Sequence, residues 1–175
     1  NFTQYYSIGV WKSDYVFNYL NSKNIKKINQ IRENIGNYFI VSVHLPPLDS
    51  IIFDHAEAYY WINSFLEILL NNKRLYFIIH LREHYDDLSK DKYKSYIAKF
   101  KATKRASLSY EINDKWNEFY YWPKTSDLVV GCGLSDTVLE SLAAKVPAVF
   151  YPGFGKDLNS LQNIDKSFCL YSKDE

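Results

Sequence analysis

Between Asp127 and Pro152 the chain reads DLVVGCGLSDTVLESLAAKVPAVFYP. An apolar run ends in Gly131-Cys132-Gly133. Hydroxyl and carboxyl side chains follow at Ser135, Asp136 and Thr137, and a single carboxylate, Glu140, comes one helical turn later. Glycines placed after a strand let the backbone turn sharply and approach a ligand closely. Ser135 or Asp136 can cap the helix that follows by accepting a hydrogen bond from a free N–H of its first turn. The N-terminus of such a helix carries exposed amides and a partial positive charge, which suits a phosphate. Ser135 and Thr137 add hydroxyl donors, whereas Asp136 opposes an anion unless its carboxylate points away. Glu140 lies three residues after Thr137, on the same side of a helix. A carboxylate there can accept both hydroxyls of a ribose. The same spacing also describes a capped helix with a solvated Glu in its first turns, and spacing by itself does not choose between the two.

Other residues with chemical potential follow apolar runs. His44 ends YFIVSVH and precedes Pro46-Pro47, Arg82 and His84 follow LYFIIHL, and Glu111 follows ASLSY. His55 and His80 read as structural, His80 because it falls inside an apolar run. Cys132 and Cys169 lie far apart in sequence and form no CxxC pair, so neither a disulfide framework nor a zinc site is implied, and a reducing compartment fits. No Walker A pattern and no GxGxxG after the first strand is present, which disfavours an ATPase and a dinucleotide dehydrogenase.

The elements that must position these residues alternate. Tyr38–Val43, Leu75–His80, Ala106–Tyr110, Leu128–Val130 and Ala148–Tyr151 read as short apolar strands, and Phe168–Tyr171 as a sixth. Asp54–Leu70, Asp91–Lys101, Asn113–Trp122 and Ser135–Ala144 have helical spacing, and Ser160–Ile164 can start another helix. Continuous apolar strands alternating with helices predict an α/β fold, a Rossmann-like doubly wound parallel sheet of about six strands with helices on both faces. Residues 1–34 are polar and helical in part, and read as a lead-in or linker helix. Residues 35–175 form the Rossmann-like domain. Ligands of such sheets bind at the carboxyl ends of the strands, near the topological switch point. His44, Arg82, His84, Glu111, Gly131–Thr137 and Pro152–Gly155 therefore border the expected crevice.

Charge is nearly balanced, with 21 Lys and Arg against 20 Asp and Glu. The chain as a whole has no electrostatic reason to bind nucleic acid or an anionic membrane. The 16 Tyr and 11 Phe accompany many Asn, Lys and Ile, and read mainly as biased composition. No stretch approaches the ~20 apolar residues needed to span a bilayer.

Residues 127–152 resemble the donor-binding half of GT-B glycosyltransferases. There a strand ending in small residues is followed by a Ser/Thr-bearing turn, a helix with one Glu, and a Pro before the next strand. The matching pieces are DLVVGCG, LSDT, VLESLAAK and VPAVFYP. Residues 34–172 fit the extent of that C-terminal domain. Within the group the chain looks closest to surface-polysaccharide enzymes, including the CDP-glycerol glycerophosphotransferases. IGVWKSDYVF (8–17) resembles their Gly-x-x-x-x-Asp-x-Leu-Phe stretch, with Val16 in place of Leu. FIIHLREH (77–84) resembles their Arg-Pro-His-Pro after a strand, with Glu83 and Tyr85 replacing the prolines.

The resemblance implies that Glu140 holds the donor ribose. Ser135, Thr137 and the amides after Gly133 hold the diphosphate, and Arg82 and His84 clamp the same phosphates. The backbone of Ser109–Ile112 borders the base, and His44 stands at the cleft floor. It implies a nucleotide-sugar or CDP-polyol donor as substrate, with no separate cofactor and no metal. The catalytic base is expected on an N-terminal GT-B domain that this chain lacks. The location is expected to be cytoplasmic, with membrane association at most peripheral, through that other domain. Retaining GT-B enzymes often carry a second Glu eight residues before the ribose-binding one; Cys132 stands there, which favours inversion. Two other readings stay open: a sugar-nucleotide epimerase of related fold, and a non-catalytic Rossmann-like module that binds a nucleotide or a protein.

Overall fold

The structure is a computed structural model, and it describes residues 22–45, 55–81, 89–112, 124–132 and 136–151. The elements in chain order are α1 (Ser22–Ile35), β1 (Phe39–His44), α2 (His55–Asn71), β2 (Leu75–His80) and α3 (Ser89–Ala102). They continue with β3 (Ala106–Leu108), α4 (Ser109–Ile112), β4 (Leu128–Gly131), α5 (Asp136–Ala143) and β5 (Ala148–Phe150). The strands form one sheet in the order β3-β2-β1-β4-β5, and every pairing is parallel. This is a Rossmann-like α/β arrangement. Its order reverses at β1, so the switch point lies between β1 and β4.

The alternation of side chains along each strand sorts the core into two layers. Val41, Val43, Phe77, Ile79, Leu108 and Val130 point to one face. There they meet Ala58, Trp61, Ile62, Phe65, Leu66 and Leu69 of α2 and Phe100 of α3. On the other face Ile40 and Ile78 pack with Ile35 of α1 and Ile112 of α4, and Val129, Ala148 and Phe150 pack with Val138 of α5. Burial on both faces is why the strands read as continuous apolar runs.

The expected strands and helices are found within one or two residues wherever they are described, with one informative exception. β3 stops at Leu108, not Tyr110, because Glu111 turns back and its Oε2 accepts the Leu108 amide at 3.0 Å, which starts α4. The expected helices at 113–122 and 160–164 and the sixth strand at 168–171 lie outside the described residues. Five strands are described.

α1 packs on the sheet, with Ile35 against Ile40 and Ile78. Ile28 and Ile31 are buried, and Gly36, in the left-handed region at φ 89°, ends the helix by donating to Arg32 O at 2.9 Å. Arg32 then reaches the loop before β4: Nη1 donates to Thr125 O and Nη2 to Asp127 Oδ1, both at 2.7 Å. Asp127 Oδ2 accepts the Ile40 amide at 2.8 Å, and the Asp127 amide donates to Ile40 O at 2.8 Å. One carboxylate thus joins α1, β1 and β4 at the amino end of the switch point. Asp127→Ala is expected to lower stability by roughly 1–3 kcal/mol, because it leaves the Ile40 amide and half of the Arg32 fork without their acceptor. A shift of the urea midpoint reads this. The Arg32–Asp127 pair is partly exposed, so its Coulombic share is small. A fall as large with Arg32→Ala, which spares the Ile40 bond, would show that the amide matters less than the ion pair.

Candidate functional site

The carboxyl ends of β1 and β4 are adjacent, with His44 in register with Gly131. His44 is also in register with His80, the last residue of β2. Ser42 and His44 are two residues apart and share a face of β1, which turns a stripe of that face polar. The two imidazoles stack at 4.2 Å with an interplanar angle of 3°. Ser42 Oγ lies 3.2 Å from His80 Nε2 and 2.7 Å from Ser126 Oγ, so a buried chain Ser126–Ser42–His80 runs across the same face of the sheet. The Nε2 of His44 is enclosed, while the residue as a whole is half-buried. Burial lowers the His44 pKa from 6.5 to about 4. His80 is driven well below its ordinary value, first by burial and then by the neighbouring His44. Both rings are neutral at pH 7. At this position His44 can offer a hydrogen bond but no charge.

β4 leads through Gly131 and Cys132 towards α5, whose first turns hold Thr137 and Glu140. Val138 is fully buried against Val129 and Phe150, and it fixes the roll of the helix on the sheet. Ser141 Oγ donates to Thr137 O at 2.6 Å, and Val146 N–H donates to Ser141 O at 2.9 Å across Lys145, which takes φ 59°. This closes the C-terminus in the manner of a Schellman motif. Thr137 is half-buried, and Glu140 is only 4% exposed. The picture of a solvated Glu therefore does not describe this chain. A carboxylate so enclosed is rare unless paired or hydrogen-bonded.

Glu111 stands apart from this group. It lies at the carboxyl end of β3, two strands from β1, or about 10 Å at ordinary strand spacing. Its carboxylate is already engaged by the Leu108 amide and by Lys101 Nζ. Gly133, Ser135, Arg82 and His84 lie outside the described residues. The structure therefore brings His44 to the switch point beside β4, and Thr137 and Glu140 onto the helix that follows β4.

Sequence reasoning missed Ser42, Ser126 and the role of His80. The signal was present as period-2 alternation: Ser42 and His44 interrupt the same face of FIVSVH, and His80 closes the neighbouring strand opposite His44. Cys132 is a half-buried thiol packed against the core. Burial pushes its pKa up, so it is no nucleophile at neutral pH. Among the described residues no group of three or more His, Cys, Asp and Glu could hold a metal ion, and no helix is long and apolar enough to cross a membrane. Compared with known proteins, the chain matches no protein-family model and no curated sequence.

Proposed function

We propose that the chain is the donor-binding domain of a GT-B-type transferase. It would take a sugar or polyol phosphate from a nucleotide-activated donor, in surface-polysaccharide synthesis. The observation that carries the reading is the placement of Thr137 and the enclosed Glu140 on α5, the helix that follows β4 at a parallel-sheet switch point. A carboxylate at this position can accept both hydroxyls of a ribose, with Thr137 one turn before it on the same side of the helix. The neutral His44 at the carboxyl end of β1 would form the floor. The acceptor-activating base is assigned to a partner domain.

Calorimetry of the 175-residue chain with UDP, CDP and GDP tests the reading. Heat of binding is expected with at least one of them. Glu140→Gln should weaken that binding by about 1–3 kcal/mol, the usual cost of losing a charged hydrogen-bond partner. Because Glu140 is buried, the exchange also acts on stability, so affinities are compared where circular dichroism shows both proteins folded. Absence of heat and of chemical-shift changes with all three diphosphates at millimolar concentration would overturn the reading.

A further inference from the structure

The opposite edge of the sheet has a character of its own. The last turn of α1 with its connection to β1 (32–38) ends there, as do the described segments 72–74, 103–105, 124–127 and 144–147 that lead into the other strands. These segments carry seven cations, Arg32, Lys73, Arg74, Lys104, Arg105, Lys124 and Lys145, against two acids, Glu33 and Asp127, in a chain whose net charge is only +1. The positive charge is therefore local to this edge.

Three of the seven have structural work. Arg32 is held by Asp127, Arg105 donates to Leu69 O at 2.6 Å and to Asn72 O, ending α2, and Lys124 donates to Ala144 O, ending α5. Cations suit helix C-termini, so these need no further explanation. Lys73, Arg74, Lys104 and Lys145 differ. All four are exposed, and their side chains make no ion pair among the described residues. Lys104 (φ 58°) and Lys145 (φ 59°) also hold the left-handed conformation that ends helices and favours glycine, as Gly36 does after α1. Lys145 lies near enough to Lys124 to lower the latter's pKa, a second effect after burial.

Apolar side chains accompany these cations. Phe39, the first residue of the central strand, is 47% exposed, and Leu70, at the end of α2, is 57% exposed. Beside Phe39 a shallow depression of about 630 Å³ is lined by Arg32, Asn37, Tyr38, Phe39, Arg74 and Asp127. Across the sheet the order is Lys104 before β3, Lys73 and Arg74 before β2, Phe39 on β1, and Lys145 before β5. At ordinary strand spacing this spans roughly 20 Å, with an aromatic ring in the middle and cations on both sides.

We propose that this edge is a docking surface for an anionic lipid bilayer. Phe39 and Leu70 enter the interfacial layer, Lys73, Arg74, Lys104 and Lys145 face the headgroup phosphates, and the depression beside Arg74 receives one headgroup. Basic side chains around exposed apolar ones are what an anionic membrane surface attracts. A nucleic acid fits less well: the cations are dispersed over the end of the sheet instead of lining a groove, and Phe39 is one exposed ring beside the aliphatic Leu70, not a series of rings on which successive bases stack. The surface is opposite the carboxyl ends of the strands, and the proposal is independent of nucleotide binding.

Co-sedimentation with vesicles tests it. The chain is expected to pellet with mixed phosphatidylcholine–phosphatidylglycerol vesicles, to be released by added salt, and to stay in solution with phosphatidylcholine alone. K104G/K145G is the informative variant. Glycine suits both backbone positions, so the melting temperature should hold or rise, while partitioning falls about fivefold for each cation removed. K73E/R74E should reduce it further, and F39S should reduce it without altering the salt dependence. Equal pelleting with neutral lipid, unchanged partitioning of both charge variants, or binding to a single-stranded oligonucleotide in place of vesicles would overturn the proposal.

Discussion

Replacing Trp61 with Ala is expected to lower the free energy of unfolding by about 3–5 kcal/mol, the range for deleting a large buried aromatic. Trp61 is completely buried on α2, with its ring 4.2 Å from Phe65 and 6.0 Å from Tyr151 between centroids. Its Nε1–H donates to Tyr151 O at 2.7 Å, which ties the β1–β2 crossover helix to the residue that leaves β5. Two mechanisms add in the Ala variant: a cavity in the larger core layer, and a buried carbonyl deprived of its donor. Trp61→Phe separates them. It keeps most of the apolar volume and loses the donor, so it should cost only roughly 1–3 kcal/mol. Urea titration followed by circular dichroism reads both, with the slope of the transition unchanged if only stability is affected. If Trp61→Ala costs no more than Trp61→Phe, the packing account of α2 fails.

The fold was legible where a single rule decides. LYFIIH, bounded by Lys73-Arg74 before it, is a strand in the sequence and the same six residues in the structure. Continuous apolar runs that alternate with helical segments predict a parallel sheet, and every described pairing is parallel. Legibility failed where two local preferences compete. ASLSY has strand composition, yet Glu111 draws the last two residues into α4 by accepting the Leu108 amide. It failed again where partners are distant in sequence. Nothing local to His80 reveals that β1 lies beside β2 in the register that stacks it on His44, or that Ser126 reaches Ser42 across 84 positions. The roll of α5 was similarly hidden. Thr137 and Glu140 share a side by spacing, but only the packing of Val138 and the closing turn at Lys145 decide that this side is enclosed. The basic amino edge was invisible to net charge, since helix C-termini and strand starts that are scattered along the chain gather there.

Stability is expected to fall steeply as the pH drops from 6.5 towards 4, before most carboxylates begin to protonate at about 4. The cause is the stacked pair His44 and His80. In the unfolded chain each imidazole takes a proton near pH 6.5. In the fold, burial holds His44 neutral down to about 4, and His80 is kept from protonating by burial and by its neighbour. Above 6.5 both states are neutral and the pair adds no pH dependence. Between 6.5 and the folded pKa the unfolded state binds more protons, so acid favours unfolding by about 1.4 kcal/mol per pH unit for each histidine. For His44, the interval from 6.5 to about 4 sets a ceiling of roughly 3 kcal/mol. The residue as a whole is only half-buried, which makes the realised value smaller. His80 contributes in the same direction, and the two are coupled, since a proton on one ring opposes a second on the other at 4.2 Å. Urea midpoints at pH 7, 6 and 5 would read the slope. His44→Gln and His80→Gln should each flatten it over this window, with the double variant nearly level. A slope that survives both exchanges would place the acid sensitivity elsewhere. The same measurement bears on the proposed donor site, because His44 sits in register with Gly131 at the carboxyl ends of β1 and β4. A ligand that hydrogen-bonds the neutral ring would add the same stability at every pH where folded His44 is neutral, down to about 4, and lose that effect below it.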